Sequence, residues 1–193
     1  MISLQEVEVI AKSVNKETSC GKLCDTLFSQ DPGCIYYKFI FKLVESLKPT
    51  ACAELGVCTG RGTAHIAGGH PAGRVWGIDP TPYEISYIIN VYPNIRLLRG
   101  RSDDQAILSK IDNSSLDLCF IDSDHSGDYA DKEVGLWRPK MKPGGILLFD
   151  DIWLNNSMRR FWDRLNLPKI ALSNQHLTGP KLDGDVGFGC ALC

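Results

Sequence analysis

Residues 116–152 read LDLCFIDSDHSGDYADKEVGLWRPKMKPGGILLFDDI. Two runs, 116–121 and 145–149, are apolar at consecutive positions apart from Asp117, and each ends in acid: Asp122 after the first, Asp150 and Asp151 after the second. Consecutive apolar residues suit strands buried on both faces, the habit of parallel sheets, whereas half-exposed strands alternate. The stretch between the runs is helix-like from about Ser126, and a helix there supplies the crossover that parallel neighbours need. The unit is therefore strand, helix, strand, with three carboxylates at the strand ends.

The same grammar extends upstream. Apolar runs at 51–57, 74–78 and 95–98 each lead into a helix-like segment. Residues 2–14 place Leu4, Val7, Ile10, Ala11 and Val14 on one helical face. A polar link containing Gly21 and Asp31-Pro32-Gly33 separates them from a second helix over 35–47, closed by Lys48-Pro49. At the other end, 168–173 and 185–192 flank a loop rich in glycine and proline, which predicts an antiparallel hairpin. Five βα units closed by a hairpin give an α/β fold: a three-layer, doubly wound, mostly parallel seven-stranded sheet with a C-terminal antiparallel hairpin. Ligands bind such sheets outside the carboxyl ends of the strands, where strand order reverses.

Composition narrows the partners. The 193 residues carry a formal net charge of −2 with no run of Lys or Arg, which argues against nucleic acid. No apolar stretch approaches the ~20 residues needed to span a bilayer. The start, MISLQEVEVIAKSV, mixes acids with apolar residues rather than following a basic-then-apolar signal pattern, so the expected location is cytoplasmic. Of the eight cysteines, Cys52, Cys119 and Cys190 fall inside strand-like runs and read as small core residues. Cys20, Cys24 and Cys34 are close together in a polar segment, but without a Cys-x2-Cys pair they read as reduced thiols rather than zinc ligands.

Glu54, Asp79, Asp122, Asp150 and Asp151 all fall at or just before strand ends. One such acid could simply be solvated or cap the next helix; five on one rim argue for a site. In ELGVCTGRG, residues 54–62, the glycines are spaced by four and then two, whereas the dinucleotide fingerprint is spaced by two and then three. A carboxylate at Glu54 would also oppose a pyrophosphate. A cofactor with a cationic head, such as S-adenosylmethionine, suits the loop better, with Asp79 placed to accept from both ribose hydroxyls.

Here the chain resembles the class I methyltransferases, over nearly all of residues 35–193. ELGVCTGRG is similar to the ELGxxxGxS loop of the catechol O-methyltransferase group and of the small sugar and macrolide O-methyltransferases. The resemblance implies a Rossmann-like methyltransferase fold in which Glu54, Gly56 and Gly60 wrap the methionine part of the cofactor and Asp79 takes its ribose. Gly100-Arg101-Ser102-Asp103 resembles a Gly-Ala-Ser-Gln turn that borders the adenine, which implies Ser102 and Asp103 as contacts. Residues 120–152 resemble the part of these enzymes that binds Mg2+, which implies Asp122, Asp150 and Asp151 as ligands, Asp122 also bordering the cofactor. The catalytic base of such enzymes lies three residues after the first metal acid, the place of His125 here. The run GDVGFGCAL is similar to their closing strand. Two departures stand out: Gly62 replaces the loop serine, and residues 1–34 form a short cysteine-containing helical segment where these families build a lid or an oligomer interface.

The metal also has a case in physics. Neighbouring strands lie ~4.8 Å apart, so carboxylates ending the fourth and fifth strands converge. Like charges that close oppose each other's ionisation unless a cation sits between them. Oxygen ligands favour Mg2+ first, then Mn2+ or Ca2+. The competing expectation has Asp122 touching substrate while Asp150 or Asp151 caps the helix before Asn155. His125 could likewise only flank its helix; His65, His70 and His176 lack acidic neighbours at a strand end and read as packing or surface residues.

The expected reaction is in-line O-methylation of a small-molecule acceptor such as a sugar, a phenol or a natural product, with Asp122 and His125 at the reacting oxygen. Trp153, Phe161 and Trp162 either wall that acceptor or pack in the core, with the core favoured for Phe161. The alternatives are a metal-independent methyltransferase, a cofactor-binding protein without catalysis, and a nicotinamide oxidoreductase, which the glycine spacing disfavours. A homodimer is compatible with the resemblance.

Overall fold

The computed structural model describes residues 2–27, 34–83, 85–173 and 186–193. The chain opens with α1 (Leu4–Ser13), α2 (Lys22–Leu27) and α3 (Cys34–Leu47), then alternates β1 (Ala51–Leu55), α4 (Arg61–Gly69), β2 (Arg74–Asp79), α5 (Ser86–Val91), β3 (Ile95–Arg99), α6 (Gln105–Leu108), β4 (Leu116–Ile121), α7 (Gly127–Trp137), β5 (Met141–Phe149) and α8 (Asn156–Arg164). It ends with β6 (Lys169–Leu172) and β7 (Phe188–Leu192).

Seven strands form one sheet in the order β3-β2-β1-β4-β5-β7-β6. The first five are mutually parallel, and β7 lies antiparallel between β5 and β6. Strand order reverses between β1 and β4, the switch point at which such sheets bind ligands. Register brings the ends level: Leu55 pairs with Ile78 and with Ile121, and Ile121 pairs with Phe149. Each ladder runs one residue further, since Gly56 N donates to Ile78 O, Asp122 N to Leu55 O and Asp150 N to Ile121 O. Gly56, Asp79, Asp122 and Asp150 therefore share one rim.

Alternate residues of the same strands face opposite layers. Cys52, Phe120 and Leu148 pack with Val7, Phe39, Leu43, Ala64 and Ile88 of α1, α3, α4 and α5. Ala53, Cys119 and Leu147 pack with Ile107, Trp137 and Phe161 of α6, α7 and α8. The closing strand is bound to the first layer by Phe188, which stacks on Tyr36 at 5.4 Å and meets Phe39 and Phe120 at 5.9 and 5.6 Å.

Two expectations need correction. The polar link holds a helix, α2, whose entry is tied by Asp25 accepting from Cys20 N and Ser19 Oγ. The fifth strand begins at Met141 rather than at residue 145, with a register shift opposite Leu116–Leu118 that accommodates Pro143 and Gly144. Of the two fates open to them, Phe161 and Trp162 take the core, with Trp162 buried against Phe149 and under Gly189. Cys52, Cys119 and Cys190 are buried as strand residues, and Cys20 and Cys24 are buried too. Burial pushes the Cys24 thiol up to about 11. The side chain of Cys34, together with Asp31-Pro32-Gly33, His176 and Asp185, lies outside the described residues.

Candidate active site

The loop after β1 is shaped by its glycines. Gly56 has φ +94, and a Cβ there would stand 1.9 Å from the Asp122 carbonyl oxygen, so the ends of β1 and β4 touch only because this residue has no side chain. Gly60, at φ +78, is the N-cap of α4 and packs on Ile88 and Ile85 rather than facing the rim. Glu54 is one residue inside β1 and almost fully buried. Burial pushes its carboxyl well above the usual range, while the Thr63 hydroxyl, which donates to it, pulls the other way. The serine missing at position 62 has a physical reason: a Cβ on Gly62 would lie 2.0 Å from Glu54 Oε1.

Beyond this loop lies a cavity of about 220 Å³, lined by Gly56, Asp79 and Ser102 among the residues singled out in the sequence. Asp79 accepts from Cys58 N at 2.9 Å and from Thr81 N at 2.7 Å, one bond per oxygen, so each oxygen keeps a lone pair for a ligand. Ser102 is buried at the far wall. Asp103 lies outside the lining, where Arg101 at 2.9 Å and Lys132 at 2.6 Å hold its carboxyl far below the usual range. Sequence reasoning missed Arg101, Ser123, Asp124 and Tyr129, which complete the wall.

Next to the cavity stands the acidic cluster. His125 Nε2 lies 3.1 Å from Asp122 Oδ1 and 3.6 Å from Asp151 Oδ2. The carboxyls of Asp122 and Asp150 stand together, with oxygens within 4.8 Å of each other and of the imidazole. Burial, then the charges of Asp122 and Asp151, push Asp150 well above the carboxylate range. Burial also raises Asp122 and Asp151, against the pull of His125. The hydrogen bond that the His125 ring donates to Asp122 is the main cause that lifts His125 to about 9. Tyr37 of α3 feels the cluster as well: burial and then Asp122, Asp150 and Glu54 raise its phenol, and its ring lies 5.5 Å beneath the Arg61 guanidinium.

Ligand atoms of Asp122, His125 and Asp150 all lie within 4.8 Å of one another, the one such group among the described residues. Of the three acids expected to hold a metal, the structure thus gathers Asp122 and Asp150, places His125 with them, and sets Asp151 alongside. Neither Asp150 nor Asp151 caps α8; Asn155 does so itself, its Oδ1 accepting from Met158 N at 2.9 Å. His125 and Asp151 both hold left-handed backbone, as does Cys58 in the glycine loop.

Solved structures share this fold. The O-methyltransferase TomG from Streptomyces achromogenes, involved in tomaymycin synthesis and solved with SAM, is 18% identical with a TM-score of 0.64, over 100% of this chain and 99% of its own. An O-methyltransferase from Bacillus cereus, in complex with SAH, is 19% identical with a TM-score of 0.61, over 98% and 89%. A methyltransferase from Geobacter sulfurreducens is 12% identical with a TM-score of 0.60, over 81% and 76%. No curated protein matches the chain. Residues 53–152 match the family described as a methyltransferase domain, more than half of the chain, and the protein belongs to that family as a class I S-adenosylmethionine-dependent methyltransferase.

Proposed function

We propose that this methyltransferase acts on a hydroxyl oxygen of a small molecule, with His125 as the base and the neighbouring aspartates as the seat of a divalent cation. The observation that carries the reading is the 3.1 Å contact of His125 Nε2 with Asp122 Oδ1, beside the cavity that Asp79 and Ser102 line. Bound S-adenosylmethionine supplies an electrophilic methyl group on sulfur. Asp79, with a lone pair left on each oxygen, would accept from the ribose hydroxyls. Ser102 would border the adenine, with Asp103 behind it; Gly56 and Asp122 would border the methionine end, on a loop that Glu54 and Gly60 hold in shape.

The donor set fits a hard cation. Three carboxyls crowd one place, and burial together with their mutual repulsion opposes the ionisation of Asp150, a cost that a positive ion between them would remove. Asp122, Asp150 and Asp151 would hold the ion, which would supply positive charge that eases loss of a proton from a nearby hydroxyl. His125 accepts the acceptor's proton on its neutral ring. In the metal-free protein the carboxylates keep the ring protonated up to about 9, and compensating their charge returns it toward neutral pH.

The same His125–Asp122 contact supports a second reading, in which Asp122 orients the imidazole and no metal takes part. Calorimetry tests the first. Titrating S-adenosylmethionine and Mg2+ separately into the protein should show cofactor binding lost in Asp79→Ala and cation binding lost in Asp122→Ala. Absence of Mg2+ binding by the unaltered protein leaves the metal-independent reading.

A further inference from the structure

One face of α7 converges on a single residue. Tyr129, Glu133 and Trp137 are spaced by four, and all three reach Ser102 of the loop after β3. The Tyr129 hydroxyl lies 3.0 Å from Ser102 Oγ, Ser102 Oγ donates to Glu133 Oε1 at 2.5 Å, and Trp137 Nε1 donates to Ser102 O at 3.0 Å. Glu133 also accepts from Ser123 Oγ, at 2.8 Å to each carboxyl oxygen. Ser123 belongs to a different loop, the one after β4. Both serines line the cavity and Glu133 does not.

Glu133 is fully buried, and its donors are two neutral hydroxyls rather than a cation. Such a carboxyl is expensive to bury. Burial pushes it up to about 7, against the two serine hydrogen bonds. An apolar residue would dock α7 on the sheet without that cost, as Val134 and Trp137 already do. What an aliphatic residue could not do is hold two hydroxyls from two loops in fixed orientation.

We propose that Glu133 is a positioning residue for the adenosine half of the cofactor site, clamping Ser102 and Ser123 into one wall of the cavity. The inference rests on reading that cavity as the adenosine site. Cofactor affinity then depends on a side chain that the cofactor does not touch, and the dependence passes through the two serines.

The test is a double-mutant cycle read by calorimetry with S-adenosylhomocysteine, each variant held below its own melting transition. Glu133→Gln keeps the volume but exchanges a carboxylate acceptor for a neutral amide, whose hydrogen bonds to the two serines are weaker, so their hold loosens and affinity should fall by about threefold to tenfold. Glu133→Leu should lose more. In a Ser102→Ala/Ser123→Ala background both substitutions should have no further effect, because the groups through which Glu133 acts are gone. Loss of affinity by the same factor in both backgrounds would show a merely structural role and overturn the inference, as would unchanged affinity of Glu133→Gln. Should Glu133→Leu not fold, the Glu133→Gln arm decides alone. Failure of the unaltered protein to bind S-adenosylhomocysteine would instead sink the reading of the cavity itself.

Discussion

His125 and Asp151 meet with Nε2 3.6 Å from Oδ2, and both hold the left-handed backbone region, at φ 54 and φ 55. Neither is glycine, and an L-residue pays about 1–2 kcal/mol for that conformation. Strain of this kind persists where the surroundings over-determine it, commonly at functional sites. Asp151 adds a partly buried carboxyl whose ionisation burial already opposes. Asp151→Gly should therefore raise the stability of the cation-free protein by about 1 kcal/mol in urea unfolding, while calorimetry shows weaker Mg2+ binding. A variant that loses both would mean that Asp151 is there for the fold.

The cluster also fixes how stability responds to pH. His125 has its proton affinity raised from the usual 6.5 to about 9, so its contribution is fully present below pH 6.5 and lost as pH climbs through about 9. Asp150 and Asp151, also raised, keep protons that the unfolded chain has already released, so their contribution declines with rising pH as well. Both signs agree. In EDTA the melting temperature should fall between pH 6.5 and 9, and His125→Gln should flatten that slope. A melting temperature that rises over this window would contradict the arrangement of charges described here.

Much of this was legible in the sequence, for reasons that differ by residue. Consecutive apolar runs and their acidic ends located β1 to β5 and the rim because burial on both faces leaves no room for polar alternation. Asp122, Asp150 and His125 could be grouped because strand ends in one sheet must be neighbours. Glu133 could not, because its partners Ser102 and Ser123 come from separate loops that only the fold superposes. A trace existed: a glutamate at i+4 between Tyr129 and Trp137, on a face otherwise carrying Ala130 and Val134, is a charge where an apolar residue belongs. Glu54 could be placed on the cofactor loop by its spacing, but its partners could not be read: one residue inside β1, it accepts from Thr63 and lies against Gly62.

That placement makes the loop glycines unequal. A methyl group on Gly56 would strike the main chain of Asp122 at 1.9 Å, while one on Gly62 would strike the Glu54 carboxyl at 2.0 Å. Both substitutions to alanine overpack and should cost about 1–3 kcal/mol. Only Gly56→Ala pushes on the residue that anchors His125. Gly56→Ala should thus weaken Mg2+ binding beyond its loss of stability, whereas Gly62→Ala leaves Mg2+ binding intact. Equal effects on the cation would argue that the loop and the cluster move as one body.

Chemistry and binding should separate cleanly at His125. Its imidazole contacts Asp122 and Asp151 but does not line the cavity that Asp79 and Ser102 form. Removing a general base costs about 10²–10⁴ in rate. Transfer of a labelled methyl group from S-adenosylmethionine to a hydroxylated acceptor should fall by that factor in His125→Gln, with the dissociation constant for S-adenosylhomocysteine unchanged. Glutamine keeps a polar group of similar reach, so a loss of cofactor affinity would mean that the histidine holds the site open rather than accepting a proton. Repeating the assay in EDTA then decides between the two readings of the acids: transfer that stops on chelation and returns with Mg2+ requires the cation, whereas transfer that persists leaves Asp122 as the group that orients His125.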